Sequence, residues 1–549
     1  MDNQVLMPPE SGGPLRIVNL FGSLPSNYEV NYLGVTGWQH YQTKVRNVRN
    51  KLYEKIIPLS KPFLHVNNFF TNILKSIPTF DAVCATCMPL SRNFIKEMKN
   101  EIKRSDIIVS SHPWFFNYIK NYKNKITVYD SHNCEYLLYK KYFKDNFSNK
   151  LFEKTVKKLE KDAYKKSDIM LACSIEDAKN FIKTFGRRKD KMYVIPNPLD
   201  TEEFKLTSKE EKIKAKKALG LTGKKTLVFV GNYYLPNIEA LKFILNGLVP
   251  NMKDFTFLII GSIDKYYYEG VDENLKNMVL KKIDIKNRGI FGYGWFDLEF
   301  WGDEGFGVRW TKKSFNFIIK DKAVDMIRIK YRSRRSMKGS IFINGKKIIG
   351  KKFFASNFRH YTFKIDKIDY VNCEFKIDNN KKTLFSDTRD TALAITAIEY
   401  RSQKKWKMIP IDETIGPLVV PKNVRLYGKV RTEKMKQIYQ ATDIAMNPVF
   451  SGSGLNIKML DYFATGIPTV TTPVGRRGLK ARHNQDLLVC SPKNFEKGIR
   501  RLSKDKQLQE KFIKNGRKIV EDYYSNEVVG KQVSKIFEKY LDEFKAKKK

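Results

Sequence analysis

A run of small residues late in the chain has the composition of an anion-binding loop. The run SGSGLN, residues 451–456, follows the apolar stretch TDIAMNPV and precedes a second apolar stretch that ends at Thr465 and Gly466. Small side chains let the backbone approach a ligand closely, and free N–H groups at the start of a helix favour a negatively charged group. The candidates for contact with an anion such as a diphosphate are Gly452, Ser453, Gly454, Leu455 and Asn456.

Two charged residues follow this loop at helical spacing. Lys458 falls in the first predicted turn, where its ammonium can reach the same anion as a point charge. Asp461 comes three residues later on the same helical face, where its carboxylate can accept hydrogen bonds from a ribose diol. The pattern predicts a site for a nucleoside diphosphate; an ordinary strand-to-helix turn is the alternative.

A histidine lies at the predicted end of another strand. The stretch KITVYDSHN, residues 125–133, is largely apolar until its last residues, and His132 is one of these. Ligand sites in open α/β sheets form beyond the carboxyl ends of parallel strands. His132 is therefore a candidate for substrate contact, and a purely structural histidine is the alternative.

Short apolar stretches alternate with helical patterns around these candidates. In the first part of the chain they are LRIVNLFG (15–22), SDIIVSSHP (105–113), KITVYDSHN (125–133) and SDIMLACS (167–174). In the second part they are KTLVFVGN (225–232), FTFLIIGS (255–262), NVRLYGKV (423–430), TDIAMNPV (442–449) and IPTVTTPVG (467–475), with a helix from about residue 237. This alternation predicts two doubly wound α/β domains, each with a parallel sheet covered by helices on both faces.

A different pattern separates the two parts of the second domain. Between about residues 286 and 410, apolar residues recur at every second position, and Asn344-Gly345 suits a two-residue hairpin turn. We predict a β-sandwich inserted into the second α/β domain. The predicted boundaries are 14–205 for the first domain, 206–287 and 410–524 for the second, 288–409 for the insert and 525–549 for a C-terminal helix.

Length and composition exclude several classes of protein. A chain of 549 residues is long enough for several domains, and 42% hydrophobic residues with 13% aromatic residues exclude a mainly disordered chain. Six cysteines are too few for a disulfide framework and lack a second CxxC pair, so we expect a reducing compartment and no metal site. The sequence shows neither a secretory leader nor an apolar stretch of about 20 residues, which favours a cytoplasmic location.

The charge balance is strongly basic. The chain has 102 Lys and Arg against 58 Asp and Glu, a formal net charge of +44. Such an excess invites binding to nucleic acid or to an anionic membrane. Because the excess is mostly lysine spread along the chain, we expect no nucleic-acid partner, and peripheral contact with the inner face of an anionic membrane stays open.

Several segments resemble family-4 glycosyltransferases, whose GT-B fold has two Rossmann-like domains facing a cleft. The segment GSGLNIKMLDYFATGIPTVTTPVGRRGL (452–479) is similar to the donor-site segment of that family. VIPNPLDTEEF (194–204) resembles its interdomain linker, LVFVGNYYLPNIEALKFI (227–244) the start of its second domain, and VYDSHNCE (128–135) its strand end with a histidine near the donor sugar. The resemblance covers most of the chain outside the insert.

The resemblance implies a retaining transfer of sugar from a nucleotide-diphosphate-sugar donor to a glycan or lipid-linked acceptor, in cell-surface polysaccharide biosynthesis and without an obligatory metal or other cofactor. It implies that Lys458 and the loop N–H groups stabilise the leaving diphosphate and that His132 lies near the sugar. Gly231 would let the opposing loop approach, Asn197 in the linker would contact the donor, and Asp461 would hold the ribose.

Departures from the family pattern support a rival hypothesis. Ser453 and Asp461 replace the two glutamates usual in the family, and GNYYLPNIEA lacks the Arg and Lys of many members. The rival is a catalytically inactive GT-B-like protein that binds glycans through the insert, which resembles small β-sandwich modules of polysaccharide glycosyltransferases. Its Trp295, Trp301 and Trp310 are candidates to stack on sugar rings, with burial in the core as the alternative.

Overall fold

The first α/β domain holds seven strands and eight helices in the part of the chain that the structure describes. The computed structural model describes residues 1–7, 9, 12–37, 43, 45–73, 79–140, 147–188, 192–264, 289–291, 295–301, 306–333, 336–353, 356–378, 392–409, 421–452 and 455–547. The strands are β1 (Val30–Thr36), β2 (Val45–Arg49), β3 (Leu52–Pro58), β4 (Ile107–Ser111), β5 (Ile126–Ser131), β6 (Ile169–Ala172) and β7 (Met192–Val194). The helices are α1 (Gly12–Phe21), α2 (Lys61–Ile73), α3 (Phe80–Cys87), α4 (Arg92–Arg104), α5 (Phe116–Ile119), α6 (Glu135–Tyr139), α7 (Phe147–Lys166) and α8 (Ile175–Phe185).

Two small sheets form the centre of this domain. Strands β4 to β7 are parallel neighbours in chain order, and every residue of β5 is buried. Strand β3 pairs in parallel with β1 and antiparallel with β2. Met1 and Asp2 link the sheets, because the Asp2 N–H donates to Leu33 O of β1 at 3.2 Å and Met1 O accepts from Ser111 of β4 at 3.1 Å.

The prediction of a strand at LRIVNLFG is wrong, because these residues belong to α1. The helix begins at Gly12 and carries Pro14 in its first turn, where the missing N–H of proline costs no hydrogen bond. Burial of Arg16 and Asn19 along with the apolar residues hides the helical period, since a short buried run looks alike in a strand and a helix. The other stretches predicted as strands in the first domain correspond to β4, β5 and β6.

The second α/β domain begins with two helix–strand pairs. In chain order they are α9 (Lys209–Ala218), β8 (Lys225–Val230), α10 (Leu235–Phe243) and β9 (Phe255–Ile260). Helix α9 starts at a capping box in which the Ser208 side chain and Glu211 satisfy each other's backbone N–H groups. The chain then enters the insert.

The insert is an antiparallel sheet of nine strands among the described residues. They are β10 (Gly289–Phe291), β11 (Trp295–Trp301), β12 (Phe306–Thr311), β13 (Ser314–Ser333), β14 (Met337–Ile343), β15 (Lys346–Phe353), β16 (Ser356–Asp378), β17 (Ala394–Ser402) and β18 (Lys405–Ile409). Asn344 and Gly345 have φ of 50° and 86° and form the predicted turn between β14 and β15.

The structure agrees only in part with the predicted β-sandwich. The nine strands hydrogen-bond into one continuous sheet, and its two longest strands, β13 and β16, shift register along their length. Side chains from most of these strands share one hydrophobic cluster, in which Phe315 and Phe375 stack at 4.8 Å between ring centroids. The described strands therefore share one main hydrophobic cluster, beside a second small cluster of Val308, Trp310 and Ala394.

After the insert the chain completes the second domain. The remaining elements are β19 (Val424–Gly428), α11 (Thr432–Gln440), β20 (Ile444–Asn447), α12 (Lys458–Ala464), β21 (Thr469–Thr471), β22 (Leu488–Val489), α13 (Phe495–Lys504), α14 (Lys506–Tyr523) and α15 (Asn526–Ala546). All pairings in its sheet, ordered β19-β9-β8-β20-β21-β22, are parallel. Strands β9 and β19 pair directly, so the all-β residues interrupt two neighbouring strands of one sheet.

The last helix returns to the first domain. Val529, Val533 and Phe537 of α15 share a hydrophobic cluster with Ile17, Leu20 and Phe21 of α1. A Cβ on Gly530 would lie 2.3 Å from Ser23 O, so glycine permits this close packing. The domain boundaries given above stay predictions. Within the described residues, no helix combines the length and apolar character needed to cross a membrane.

Candidate functional site

A cavity of about 240 Å³ lies where the two α/β domains meet. From the first domain it is lined by Gln4, Gly12, Gly13, Arg16, His112, His132, Asn133, Cys173 and Asn197, and from the second by Leu455 and Ile457. His112, His132 and Cys173 each follow the carboxyl end of a parallel strand, β4, β5 and β6 respectively. The parallel sheet thus brings these side chains to one edge, where sites in open α/β sheets form.

Arg16 of α1 organises the floor of the cavity. Its guanidinium donates to Asp130 Oδ1 at 2.7 Å, to Ile195 O at 3.0 Å and to Asn197 Oδ1 at 2.8 Å. The side chains of Arg16 and Asp130 are 1% and 0% exposed. Burial alone would favour a neutral Asp130, but Arg16 and His132 outweigh it and hold the pKa of Asp130 well below its usual range. This ion pair ties α1, β5 and the interdomain linker together.

His132 lies against that pair. Its Nε2 is 3.2 Å from Asp130 Oδ2, while its buried Nδ1 has no hydrogen-bond partner among the described residues. A Cβ on Gly13 would lie 3.1 Å from Gln4 Oε1 and 3.4 Å from His132 Nδ1, so a side chain at this position would occupy the space beside the His132 ring. Burial, reinforced by the neighbouring His112, lowers the pKa of His132 to about 4. His132 is therefore a neutral imidazole in the cavity wall.

His112 is the second histidine of the cavity, and sequence reasoning missed it. Its ring centroid is 4.0 Å from that of His132, and its Nδ1 is 3.1 Å from both carboxylate oxygens of Asp2. Burial opposes its charged form, but Asp2, Glu135 and Asp81 outweigh burial and raise the pKa of His112 to about 10. The signal for it was its place after the predicted strand SDIIVSSHP, the same relation that singled out His132.

Lys458 is the first residue of α12 and lies near the cavity in sequence, one residue after the lining residue Ile457, without lining the cavity itself. Its Nζ donates to Asn237 Oδ1 at 3.0 Å and lies 4.4 Å from the centroid of the Phe229 ring. It forms no ion pair with a carboxylate of the described residues. Burial of the ammonium lowers the pKa of Lys458 to about 7. A cation with only a neutral amide and an aromatic face beside it is suited to bind an anion.

Two of the predicted glycines lie around the same Asn237 region. A Cβ on Gly231 would lie 3.2 Å from Asn237 Cβ, and one on Gly452 would lie 3.2 Å from Pro236 Cγ. Gly452 also has φ of +113°, a conformation that residues with side chains rarely adopt. Gly231 therefore lets the end of β8 lie close to the start of α10, and Gly452 lets the loop after β20 approach the same helix.

Asp461 lies one turn deeper in α12 and apart from the cavity. Its Oδ2 accepts from the Tyr439 hydroxyl at 3.1 Å, and burial raises its pKa to about 7. The side-chain amide of Asn456, predicted to contact an anion, instead donates a hydrogen bond to Gly475 O at 3.2 Å. The contact of Asp461 with a ribose stays a prediction.

The structure thus brings some of the predicted residues together and separates others. His132, Asn197 and Leu455 line one cavity, whereas Gly231, Gly452 and Lys458 surround the start of α10. Ser453 and Gly454 lie outside the described residues. Arg16, His112, Asp130 and Asn237 were missed, and Gly12-Gly13 before Pro14 would have located Arg16 had α1 been predicted as a helix. No group of three or more metal-binding side chains occurs in the described ranges.

Comparisons with known proteins agree with this architecture. Residues 69–203 match the family model described as Glycosyltransferase Family 4, and residues 410–505 match the model described as Glycosyl transferases group 1. The first match contains β4 to β6 with His112 and His132, and the second contains Lys458 and Asp461. No curated protein sequence matches the chain.

Solved structures similar to this one span both α/β domains. Sucrose-phosphate synthase from Thermosynechococcus elongatus has a TM-score of 0.54 at 10% identity, covering 98% of each chain. HepE from Anabaena, in complex with UDP and glucose, has a TM-score of 0.53 with the same identity and coverage. A glycosyltransferase from Rickettsia africae has a TM-score of 0.50 at 10% identity, covering 98% of this chain and 97% of its own. Two regions of the chain therefore match glycosyltransferase models, and the chain has the GT-B fold.

Proposed function

We propose that the chain is a retaining glycosyltransferase that moves a sugar from a nucleotide-diphosphate-sugar donor to a glycan or glycolipid acceptor in cell-surface polysaccharide biosynthesis. The observation that carries the proposal is the cavity between the α/β domains. A neutral His132 lies on one side of it, and Leu455, three residues before Lys458, lies on the other. A site divided in this way suits a substrate with a neutral sugar end and an anionic end.

Lys458 would take the diphosphate. Departure of a nucleoside diphosphate leaves negative charge on the leaving phosphate, and a preplaced cation stabilises that charge as it develops. Lys458 has a neutral partner, Asn237, that it can exchange for a phosphate oxygen without breaking an ion pair of the described residues. The phosphate would in turn keep Lys458 protonated above pH 7. Because Lys458 supplies this charge, the proposal needs no metal ion.

The first domain would hold the sugar. Arg16 and Asp130 neutralise each other, so the cavity floor is polar without carrying net charge from this pair. His132 and Asn197 then offer uncharged hydrogen-bonding groups to sugar hydroxyls. Gly13 keeps the space beside His132 open. Asp461, with a pKa near 7, would exchange its Tyr439 contact for a ribose hydroxyl when the donor binds.

The direct test is release of nucleoside diphosphate from a panel of UDP-, GDP- and ADP-sugars with glycan or lipid-linked acceptors. UDP-glucose is the first donor to test, because HepE has been crystallised in complex with it. We expect turnover in the wild type and in Lys434→Ala, an exposed lysine of α11, and a loss of at least 100-fold in Lys458→Ala. Nuclear magnetic resonance of the product's anomeric proton tests retention. Equal turnover in the two lysine variants would remove Lys458 from the mechanism.

A glycan-binding protein without catalysis is the second candidate, and an exposed aromatic residue of the insert favours it. Trp295 and Trp310 are 6% and 2% exposed and belong to the core, and the Trp301 side chain lies outside the described residues. Trp406 of β18 is instead 40% exposed, with the Arg328 guanidinium 4.4 Å from its ring centroid. The insert thus offers a sugar-stacking ring at a position the sequence did not single out.

Glycan retention on immobilised polysaccharides separates the candidates. If the insert binds glycans, Trp406→Ala loses retention and keeps its response to nucleotides, while Tyr523→Ala, an equally exposed aromatic residue of the second domain, keeps both. Retention by the wild type without consumption of any nucleotide sugar would favour the binding protein.

Membrane contact is a further part of the proposal. A net charge of +44 favours attraction to anionic lipid, which would keep the enzyme near lipid-linked acceptors at the inner face of the membrane. Co-sedimentation with phosphatidylglycerol vesicles should fall steeply as salt rises from 50 to 500 mM. The same retention on neutral vesicles would remove this part.

A further inference from the structure

His112 adopts a backbone conformation that histidine rarely tolerates. Its φ is +69° and its ψ is 163°, in a region used almost only by glycine. The conformation is held by two hydrogen bonds, from the His112 N–H to Asp130 O at 3.1 Å and from Ser110 Oγ to His112 O at 2.8 Å. A histidine kept in a glycine conformation points to a use for its ring.

Carboxylates flank both nitrogens of that ring. Nδ1 lies 3.1 Å from each oxygen of Asp2, which is fully buried, and Nε2 lies 3.9 Å from Glu135 Oε1. Asp81 of α3 adds further negative charge nearby. Because the hydrogen bonds to Asp2 on one side and the nearby carboxyl of Glu135 on the other favour the same form, the ring is an imidazolium.

The neighbouring His132 has the opposite surroundings. Its Nε2 faces Asp130, whose charge Arg16 already balances at 2.7 Å, and its Nδ1 has no partner in the described part of the chain. The two rings lie 4.0 Å apart between centroids, so two cationic rings would repel strongly in this buried setting. The pair therefore holds one proton charge, and the geometry gives it to His112.

We propose that His112 is a positioning residue that, locked by Asp2 and Glu135, holds His132 as a neutral imidazole with its proton on Nε2 and its lone pair on Nδ1. An ionised Asp130 can only accept, so the proton of His132 must lie on Nε2, which faces it. His132 thereby keeps a hydrogen-bond acceptor for a sugar hydroxyl and adds no positive charge to the cavity. Only this last use rests on the proposed function.

The titration of both rings in the full-length chain tests this assignment. The ionisable groups around the two rings are Asp2, Asp81, Asp130, Glu135, Arg16 and Cys173. The chain has six histidines, so ring 15N signals from selectively labelled protein can be assigned by single substitutions. At pH 7 we expect His112 to be doubly protonated and His132 to be neutral with its proton on Nε2. A charged His132, or one protonated on Nδ1, would overturn the proposal.

His112→Asn tests the coupling, because it replaces the imidazolium with an uncharged polar side chain. Removal of the imidazolium should raise the titration midpoint of His132 by at least one pH unit, a tenfold gain in proton affinity. The matched control His65→Asn, on an exposed position of α2, should leave it unchanged. An unchanged midpoint in His112→Asn contradicts the proposal.

Asp2→Asn provides a second variant that leaves the His112 backbone intact. It should lower the titration midpoint of His112, since one of its two flanking carboxylates is gone. A midpoint for His112 equal to that of the wild type would contradict the role of Asp2. These signals do not depend on catalysis. The expected titrations without any sugar transfer would contradict the proposed function alone. Sugar transfer by a protein with a charged His132 would contradict this inference alone.

Discussion

The two halves of the cleft solve the same electrostatic problem in opposite ways. In the first domain, each buried cation lies beside a carboxylate: Arg16 beside Asp130 and His112 beside Asp2. In the second domain, Lys458 is buried beside an amide and an aromatic ring. One half balances its buried cations without a ligand, and the other half keeps a cation whose charge is not matched by a described side chain.

This difference indicates what each half is built to meet. A balanced network fixes the position of its groups and presents neutral polar atoms, which suits a sugar. A buried lysine with a lowered pKa is costly unless an anion pairs with it, which suits a diphosphate. Substitutions in the first half should therefore affect stability most, and substitutions in the second should affect ligand binding most.

The largest effect on stability should come from Arg16→Met. The substitution leaves Asp130 fully buried without its guanidinium partner, which should lower the free energy of unfolding by about 3–5 kcal/mol. Because Asp130 has a lowered pKa, the wild-type advantage is present above about pH 4 and is lost progressively as pH falls further toward the folded-state pKa. Urea unfolding at pH 7 and at about pH 2 measures both quantities.

Arg482→Met is the matched control for that prediction. Arg482 is 74% exposed and 3.8 Å from Asp486, so its loss should cost no more than about 1 kcal/mol. Arg16→Met with Asp130→Asn should recover part of the lost stability, because no unpaired buried charge remains. Equal costs for Arg16→Met and Arg482→Met would contradict the balanced-network account.

The second effect concerns nucleotide affinity. Lys458→Ala should weaken binding of the preferred nucleoside diphosphate by about 10–100-fold, the range for a charge-assisted hydrogen bond. Wild-type affinity should fall as pH rises above 7, because the free lysine loses its proton there and binding must restore it. Calorimetric titrations at pH 7, 8 and 9 should show this slope in the wild type and in Lys434→Ala, and a flat profile in Lys458→Ala.

The third effect is a gain in stability without ligand. Lys458→Met removes a buried ammonium that has no counter-charge among the described residues, so it should stabilise the empty protein by roughly 1 kcal/mol. The gain should be largest below pH 7 and should shrink toward pH 10, where the wild-type lysine loses its proton in the unfolded state as well. Thermal melts across this pH range provide the measurement, and a destabilised Lys458→Met would show that the lysine is structural.

The smallest effect separates two adjacent glycines of the cavity. A Cβ on Gly13 would lie 3.1 Å from Gln4 Oε1 and 3.4 Å from His132 Nδ1, whereas one on Gly12 would lie 3.6 Å from Ile457 Cδ1. Gly13→Ala should therefore cost less than about 1 kcal/mol of stability but reduce sugar-dependent turnover, while Gly12→Ala changes neither. Identical turnover in the two variants would argue against a sugar beside His132.

Much of the fold follows from the sequence because its central strands are short, apolar and bounded by turn residues. The stretch KITVYDSHN was predicted as a strand and forms β5. FTFLIIGS and NVRLYGKV were also predicted as strands and form β9 and β19, which pair with each other and flank the insert in the chain. LRIVNLFG failed because burial on several sides removes the polar face that identifies a helix. The insert's single sheet could not be foreseen, because alternation reveals strands and not their partners.

The structure places His132, which was predicted at a strand end, and Asn197, which was named from the resemblance of the linker, in one cavity, while the role of Lys458 stays a prediction. Arg16, Asp130 and His112 were not predicted, because their roles arise from contacts between residues more than a hundred positions apart. Trp406 shows the same limit, since its exposure depends on which face of β18 meets the core.

Thermal stabilisation of the purified protein by UDP, GDP, ADP, CMP and their sugar conjugates tests the central claim most directly, since a ligand that binds only the folded state must raise its melting temperature. We predict a clear shift with one nucleoside diphosphate and its sugar conjugate, retained in Lys434→Ala and lost in Lys458→Ala. No shift with any member of the panel, or an equal shift in both lysine variants, would contradict the claim that the cleft binds a nucleotide sugar through Lys458.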